Sequence, residues 1–335
     1  KAIATGDSHT CALLDNASVK CWGENGNGQL GLGSGISNRG DGSGEMGDYL
    51  TAINLGSGRT ATSITTGTGY TCVLLDDDSV KCWGRGNYGQ LGTGKKFDVT
   101  SPDKVIDLGT GRTATAIASG NFHTCAILDN SSIKCWGFNA SGQLGLGDII
   151  NRGDNSSEMG DNLTAIDLGN ERTATAIAAG SDHTCAILDN ASIKCWGSNA
   201  SGQLGLGDTN NRGDVSDEMG DSLHAVELGS GRTAKAIAAG NQHTCAILDN
   251  ASIKCWGFNA SGQLGLGDDD NRGDGSNEMG DNLTIVDLGS GSTATAIATG
   301  DSHTCALFDN ASVKCWGENG NGQLGLGPSI SNRGD

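Results

Sequence analysis

The sequence is poor in proline, in aromatic residues and in basic clusters, and each shortage excludes something. Two prolines against 56 glycines in 335 residues describe a chain that turns often and sharply through glycine. Since no glycine recurs every third residue, the composition is not that of collagen. Aromatic residues make up 4%, so a core has to be built from Ile, Leu, Val and Ala around six tryptophans packed between sheets. No stretch is apolar and long enough to read as a secretory leader or a membrane span. No run of Lys and Arg stands against the net charge of −18, which argues against a grip on nucleic-acid phosphates. The acidic surface reads instead as solubility or cation binding.

What is present is repetition. The stretch His183-Thr-Cys-Ala-Ile-Leu-Asp-Asn-Ala-Ser-Ile-Lys-Cys-Trp-Gly197 has five near-copies, whose leading cysteines are Cys11, Cys72, Cys125, Cys245 and Cys305; with Cys185 the spacings are 61, 53, 60, 60 and 60. A period of that size marks an array of supersecondary units, each completing its core on its neighbours. Cys185, Ile187, Ile193 and Cys195 alternate on either side of the polar Asp189-Asn190-Ala191-Ser192, the pattern of a β-hairpin with a tight turn. Both cysteines are equally distant from Asn190, so their side chains fall on one face and meet across the ladder.

The twelve cysteines form six such pairs, each ten positions apart: Cys11 and Cys21, Cys72 and Cys82, Cys125 and Cys135, Cys185 and Cys195, Cys245 and Cys255, Cys305 and Cys315. Disulfides are the expected state, provided the Cα separation allows closure. Zinc is the competing reading, with His183 as a third ligand, but the compact Cys-x-x-Cys knuckle is missing and Tyr70 replaces that histidine in the second unit. Paired cysteines on this scale place the protein outside the cell, secreted or on a cell surface. N-glycosylation sequons agree with that compartment. They begin at Asn16, Asn130, Asn190, Asn250 and Asn310 on the hairpin turns, at Asn139, Asn199 and Asn259 in a second loop, and at Asn155, Asn162 and Asn282 elsewhere. The blander reading is that asparagine is a good turn residue copied by duplication.

Taken in order, the units run over about 1–59, 60–112, 113–172, 173–232, 233–292 and 293–335, one array in which the last unit is incomplete. After the first hairpin come the glycine corner Gly28-Gln-Leu-Gly-Leu-Gly33, a polar loop, the short strand Leu50–Leu55, the turn Gly56-Ser-Gly58 and a small-residue strand from Thr60. Four short strands per unit make one blade of a β-propeller, an all-β fold. Lys1 to Gly6 matches Lys235 to Gly240, so the sequence opens inside a unit; either a leader has been removed or the sequence is an excerpt, and a closed ring needs its last strand from the other terminus or from further residues. The second unit is irregular, with the short loop Lys95-Lys-Phe-Asp-Val-Thr-Ser-Pro102, Asp77-Asp78 at the hairpin turn, and Tyr88 in the corner.

Segments such as Cys195-Trp-Gly-Ser-Asn-Ala-Ser-Gly-Gln-Leu-Gly-Leu-Gly207 resemble the signature of the regulator of chromosome condensation repeat family across all six units. The resemblance implies a propeller, most often of seven four-stranded blades, where six hairpins here indicate six or seven. The cysteine pairs and Asn-Arg-Gly-Asp loops resemble a variety of these repeats found in bacterial and algal surface proteins. The family's best-known member exchanges nucleotide on the small GTPase Ran and sits on chromatin, and no residue here carries those roles over.

Two loop features suggest ligands. Arg-Gly-Asp occurs at Arg39 to Asp41, Arg152 to Asp154, Arg212 to Asp214, Arg272 to Asp274 and Arg333 to Asp335; it is an integrin-type tripeptide or, as a duplicated structural turn, a single repeated accident. Asp268, Asp270, Asp274, Glu278 and Asp281 are weak calcium candidates, echoed by Asp208, Asp214, Glu218 and Asp221 and by Asp148, Asp154, Glu158 and Asp161, although their spacing is not that of an EF-hand and a solvated acidic rim explains them. Catalytic residues are not expected: His9, His123, His183, His243 and His303 stand in the same setting in each unit, as structural groups donating to backbone at sheet edges. No resident metal or cofactor is expected beyond N-linked glycans. The expectation is a non-enzymatic structural or adhesive component of an extracellular assembly, self-associating or binding extracellular proteins or glycans; a soluble recognition module is the alternative.

Overall fold

A computed structural model of the chain describes residues 1–289, 291, 293–327 and 332–334. It contains six sheets, each of three antiparallel strands, and one sheet falls in each expected unit. In the fourth unit the strands are Ala174–Ala179, His183–Leu188 and Ile193–Gly197. The expected fourth strand is, in the first and fourth units, an extended segment held by one backbone bond to the end of the sheet, from Ile53 N to Val19 O and from Val226 N to Ile193 O, both 2.8 Å, while in the second unit Val105 forms an isolated antiparallel bridge with Lys81. Ladder growth stops there because the segment soon turns through the left-handed glycines Gly229 and Gly56.

The hairpins fold as the alternation requires. Cys185 lies directly opposite Cys195 and Ile187 opposite Ile193. Leu188 N bonds to Ser192 O at the turn, so by alternation the cysteine pair occupies a non-hydrogen-bonded position, where opposed Cα atoms are closest. The same register sets Cys11 opposite Cys21, Cys72 opposite Cys82, Cys125 opposite Cys135, Cys245 opposite Cys255 and Cys305 opposite Cys315. Each of the six pairs is closed as a disulfide, with Cα atoms 4.1 Å apart: Cys82 is bonded to Cys72, Cys135 to Cys125, Cys255 to Cys245 and Cys315 to Cys305, as Cys21 is to Cys11 and Cys195 to Cys185. That separation is slightly shorter than the usual range for a disulfide, and it is the close approach of the non-hydrogen-bonded position that sets it. The turn places Ala191 at φ 61°, a costly backbone for a residue with a Cβ. Asn190 compensates: its Oδ1 accepts from Ser192 N at 3.1 Å and Ser192 Oγ at 2.7 Å.

The residues gather into two compact units, Lys1–Ala140 with Ile150–Ile166, and Ser141–Ile149 with Asp167–Asp335. The division shows how repeats share residues, for Ser141–Ile149 is the glycine corner of the third repeat and packs with the fourth sheet. Within the second unit, one face of the fourth sheet (Cys185, Ile187, Ile193, Cys195), with Leu204, Val226 and Leu228, buries itself against Ala246, Leu248 and Trp256 of the fifth. The first unit repeats this with Cys11, Leu13, Val19 and Cys21 against Val73, Leu75 and Trp83. Sheets buried on both faces explain why the strand His183–Leu188 has no exposed residue.

Asp77 holds the second unit's hairpin as Asn190 holds the fourth, accepting from Ser79 Oγ at 2.6 Å and Ser79 N at 3.2 Å. The turn therefore needs an acceptor oxygen, not an amide. In unglycosylated protein, Asn190→Asp should leave the thermal midpoint nearly unchanged, whereas Asn190→Ala should cost about 1 kcal/mol; equal midpoints for the two variants would contradict this account of the turn.

Candidate functional site

The repeated polar residues converge on the joints between consecutive sheets. In the corner Gly28-Gln29-Leu30-Gly31, the Gln29 Oε1 accepts from Asn27 N at 2.9 Å and so fixes the turn. That leaves the Gln29 main-chain carbonyl pointing at the next sheet. There it accepts the Thr71 hydroxyl at 3.0 Å and the Trp83 indole N–H at 2.9 Å. The same pair of bonds recurs at Gln90 with Thr124 and Trp136, at Gln143 with Thr184 and Trp196, at Gln203 with Thr244 and Trp256, and at Gln263 with Thr304 and Trp316. The glycine after the leucine is required by contact as well as by turn: at Gly205, φ 69°, a Cβ would stand 2.8 Å from Trp256 Nε1.

The histidines belong to the same joints. Their ring partner is a threonine hydroxyl of the next sheet rather than backbone, which corrects that expectation: His9 Nε2 lies 2.9 Å from Thr71 Oγ1, His183 Nε2 2.9 Å from Thr244 Oγ1 and His243 Nε2 2.9 Å from Thr304 Oγ1. Each threonine has one hydroxyl proton, already given to the glutamine carbonyl, so the imidazole must donate from Nε2. That tautomer leaves Nδ1 as a bare lone pair, and in His9 and His243 this atom is buried without a partner. Burial pushes His9 down to about 4, and His123 and His243 to about 3. In the second unit Tyr70 takes over the joint, its hydroxyl donating to His123 O, with burial raising it to about 12. A histidine committed to threonine, beside cysteines closed as disulfides, is not a zinc ligand.

The sequons divide into two classes. Asn16, Asn130, Asn190, Asn250 and Asn310 are exposed on hairpin tips, and Asn155, Asn162 and Asn282 are exposed in loops. Asn139, Asn199 and Asn259 are fully buried. Asn199 Nδ2 donates to Asp208 O at 2.7 Å while its Oδ1 accepts from Leu204 N at 2.9 Å; Asn259 is tied in the same way to Asp268 O and Leu264 N. Asn139 Nδ2 donates to Ile150 O at 3.2 Å. An oligosaccharide on these nitrogens cannot coexist with the folded corner, so these three drop out as acceptors.

The calcium candidates are not brought together. Asp268 pairs with Arg272 at 2.6 Å and accepts from Asp270 N. Glu278 accepts from Gly273 N and Gly275 N, bracing the turn around Asp274, and Asp281 accepts from Ser230 N at 2.8 Å in the preceding turn. Among the described residues no three His, Cys, Asp or Glu side chains form a metal-binding group. The Arg-Gly-Asp loops are also used within the fold: Arg212 exchanges both backbone bonds with Gly197, and Gly213 O accepts from Gly147 N of the preceding corner at 3.0 Å. Asp154 is buried and paired with Lys96 at 2.8 Å, while Asp335 lies outside the described residues.

One repeated residue had no assigned role in the sequence, the lysine before the second cysteine. Lys194 Nζ donates to Leu168 O at 2.9 Å and Gly220 O at 2.8 Å, and Lys134 to Leu108 O and Gly160 O, clamping two loops to each sheet. Desolvation lowers both ammonium groups. Its position on the strand face opposite the cysteines was the available signal.

With the corners and joints in place, comparison with known proteins gives the family. A family model described as an RCC1-like domain matches residues 2–334. The chain belongs to the RCC1-like domain family. Its sequence is 30% identical over 331 residues to the ultraviolet-B receptor UVR8 of Arabidopsis thaliana, covering 98% of this chain and 67% of that one. It is 26% identical over 331 residues to the human E3 ubiquitin-protein ligase HERC2, of which it spans only 6%. Among solved structures it resembles yeast RCC1 (Prp20) bound to Kap60, with a TM-score of 0.78 at 20% identity covering 99% and 73% of the two chains. It also resembles human WBSCR16, with a TM-score of 0.74 at 19% identity covering 99% and 79%. The sheets are thus propeller blades, and the fold is the RCC1-like β-propeller.

Two outcomes follow from the joints of this RCC1-like domain. Thr244→Val keeps the shape but strands the His183 N–H and halves the load on the Gln203 carbonyl; it should destabilise by about 1–3 kcal/mol in denaturant melts, and a neutral result would remove the threonine from its central place. The histidines predict acid sensitivity. Their folded values lie below the unfolded 6.5, so the unfolded chain binds more protons as pH falls through that value; stability is full above pH 6.5 and declines toward about 4 for His9 and about 3 for His123 and His243. Urea midpoints between pH 6.5 and 5.5, above the main carboxylate range, should fall with decreasing pH, with a slope approaching roughly 1.4 kcal/mol per unit for each histidine. A flat profile there would contradict the neutral assignment.

Proposed function

We propose that this chain is a non-enzymatic, secreted or surface-displayed glycoprotein that acts as a recognition module, binding a protein partner through the exposed surface of its propeller. One observation carries the reading: the repeated groups with chemical competence, histidine, threonine, cysteine and lysine, are taken up in blade joints and disulfides, with no free cysteine among the described residues. Function is left to the exposed loops. Six disulfides suit an oxidising compartment, and the exposed sequons at Asn16, Asn130, Asn155, Asn162, Asn190, Asn250, Asn282 and Asn310 would carry glycans there. No helix among the described residues is long and apolar enough to cross a membrane.

A second reading, a building block of an extracellular assembly, is favoured by the near-identity of the third to fifth units, which present equivalent surfaces in succession. One solved relative is described by its binding to Gsp1p and histones; at 20% identity only the fold is shared, and a chain of net charge −18 is poorly suited to chromatin.

Unreduced peptide mass spectrometry of natively isolated protein tests compartment and site together. Six intra-hairpin disulfides are expected, with glycans on the hairpin-tip asparagines and none on Asn139, Asn199 or Asn259; free thiols and bare asparagines throughout would overturn the extracellular reading. Sedimentation separates the two functions: a recognition module stays monomeric and cross-links to a defined partner, whereas a building block polymerises alone.

A further inference from the structure

The second unit departs from its neighbours in residue type, and two of its departures meet at one site. After Trp-Gly the other units carry Glu24, Phe138, Ser198, Phe258 and Glu318, but the second carries Arg85. Tyr88 stands where the others have Asn27, Ser141, Ser201, Ser261 and Asn321. The Tyr88 ring meets Phe122 at 5.2 Å and Phe138 at 5.0 Å between centroids, and Phe122 meets Phe138 edge-on at 6.5 Å and 84°. The Arg85 guanidinium carbon sits 4.9 Å from the Phe122 centroid. All four side chains are half-buried, so they form a surface cluster and not core.

Charge bears on the cluster as well, for most arginines of the chain are paired while, among the described residues, Arg39 and Arg85 are not. Arg59, Arg112, Arg172, Arg212, Arg232 and Arg272 all pair with aspartates. Arg85 makes no ion pair among the described residues, in a chain with 39 acidic side chains. Residues 81–104 hold five cations (Lys81, Arg85, Lys95, Lys96, Lys104) and two anions (Asp98, Asp103), a net of +3, whereas residues 194–221 hold two cations and five anions, a net of −3. That excess is one of sequence: Lys81 is spent on Leu55 O and Lys96 on Asp154, and at the cluster itself the cation is Arg85, a guanidinium whose N–H groups have no carboxylate.

We infer that Arg85, Tyr88, Phe122 and Phe138 form a docking site for an acidic peptide segment of a partner protein, one that carries an apolar anchor beside its carboxylates. A carboxylate takes the guanidinium N–H fork of Arg85, and the anchor packs against the ring edges, the combination of buried aromatic and arginine that dominates protein interfaces. The rings are steeply tilted to one another and Arg85 lies over Phe122, so the cluster offers ring edges and a guanidinium rather than a shared stacking plane for a sugar. A peptide is therefore favoured over an acidic oligosaccharide.

The inference rests on the recognition reading and is tested with the full chain and labelled peptides by fluorescence anisotropy. The probes are a Glu/Asp-rich peptide with a central Phe-Leu pair, its Lys-substituted counterpart, and an acidic version with Gly-Ser in place of the pair; oligogalacturonate serves as competitor. The acidic apolar peptide should bind at least about tenfold more tightly than either control, weaken with salt, and lose about tenfold on Arg85→Ala or Tyr88→Ala, with Arg85→Lys in between. Unchanged thermal midpoints confirm that the variants fold. Equal binding by Arg85→Ala, equal binding of the basic peptide, displacement by oligogalacturonate at lower concentration than by unlabelled peptide, or no binding by the wild-type chain would each overturn the proposal. If wild-type and Arg85→Ala chains cross-link the same partner, recognition stands and only this site falls; a wild-type chain that polymerises alone and binds no peptide loses both.

Discussion

A main-chain carbonyl organises this protein. The glutamine of each glycine corner spends its side chain on the local turn and leaves its backbone oxygen to the neighbouring sheet, where a threonine hydroxyl and a tryptophan N–H both reach it. A carbonyl with two lone pairs can satisfy both donors. The bonds close only if the corner is shaped by glycines and the buried tryptophan packs against the last of them, where a Cβ at Gly205 would stand 2.8 Å from Trp256 Nε1. Two-sided burial of the hairpins, the alternation of Cys and Ile with Thr and Trp, and the small residues of the first strand all serve that fit.

The joints also explain why the repeated residues offer no chemistry. A histidine that donates to threonine from one nitrogen and buries the other as a lone pair is held neutral, and it is barred from acting as a general acid because burial opposes its charge. The loop carboxylates are spread in the same spirit: Asp268 answers Arg272, Glu278 braces the Gly273 turn and Asp281 holds the turn at Ser230, so acidity that is conspicuous in composition is divided among small structural duties.

Much of this was legible in the residues. The hairpin, the cysteine pairing and the glycine corner depend on alternation and turn chemistry within about fifteen positions, and local pattern reports local structure well. What could not be read was where backbone atoms point. Nothing in Gly-Gln-Leu-Gly announces that its functional atom is a carbonyl, nor that the acceptor of His183 is a hydroxyl 61 residues away. Asn199 and Asn190 begin the same three-letter sequon, yet one is sealed beneath the corner and the other caps an exposed turn. The fourth strand was visible as a segment, but its attachment by one bond is a matter of how soon the chain bends. The irregular second unit read as a blade lacking features, when its substitutions gather a guanidinium and three rings in one place.

Each joint has a direction. One repeat contributes the carbonyl and the imidazole, the next contributes the hydroxyl and the indole, and the fourth and fifth sheets carry both halves on opposite faces. Such a unit fits between any two of its kind. Duplicating a stretch of about sixty residues therefore copies both halves of a joint together with the unit that bears them. The third to fifth units keep the same joint residues, and the second unit shows the complementary freedom: with its joint maintained by tyrosine in place of histidine, it differs from its neighbours in its exposed residues.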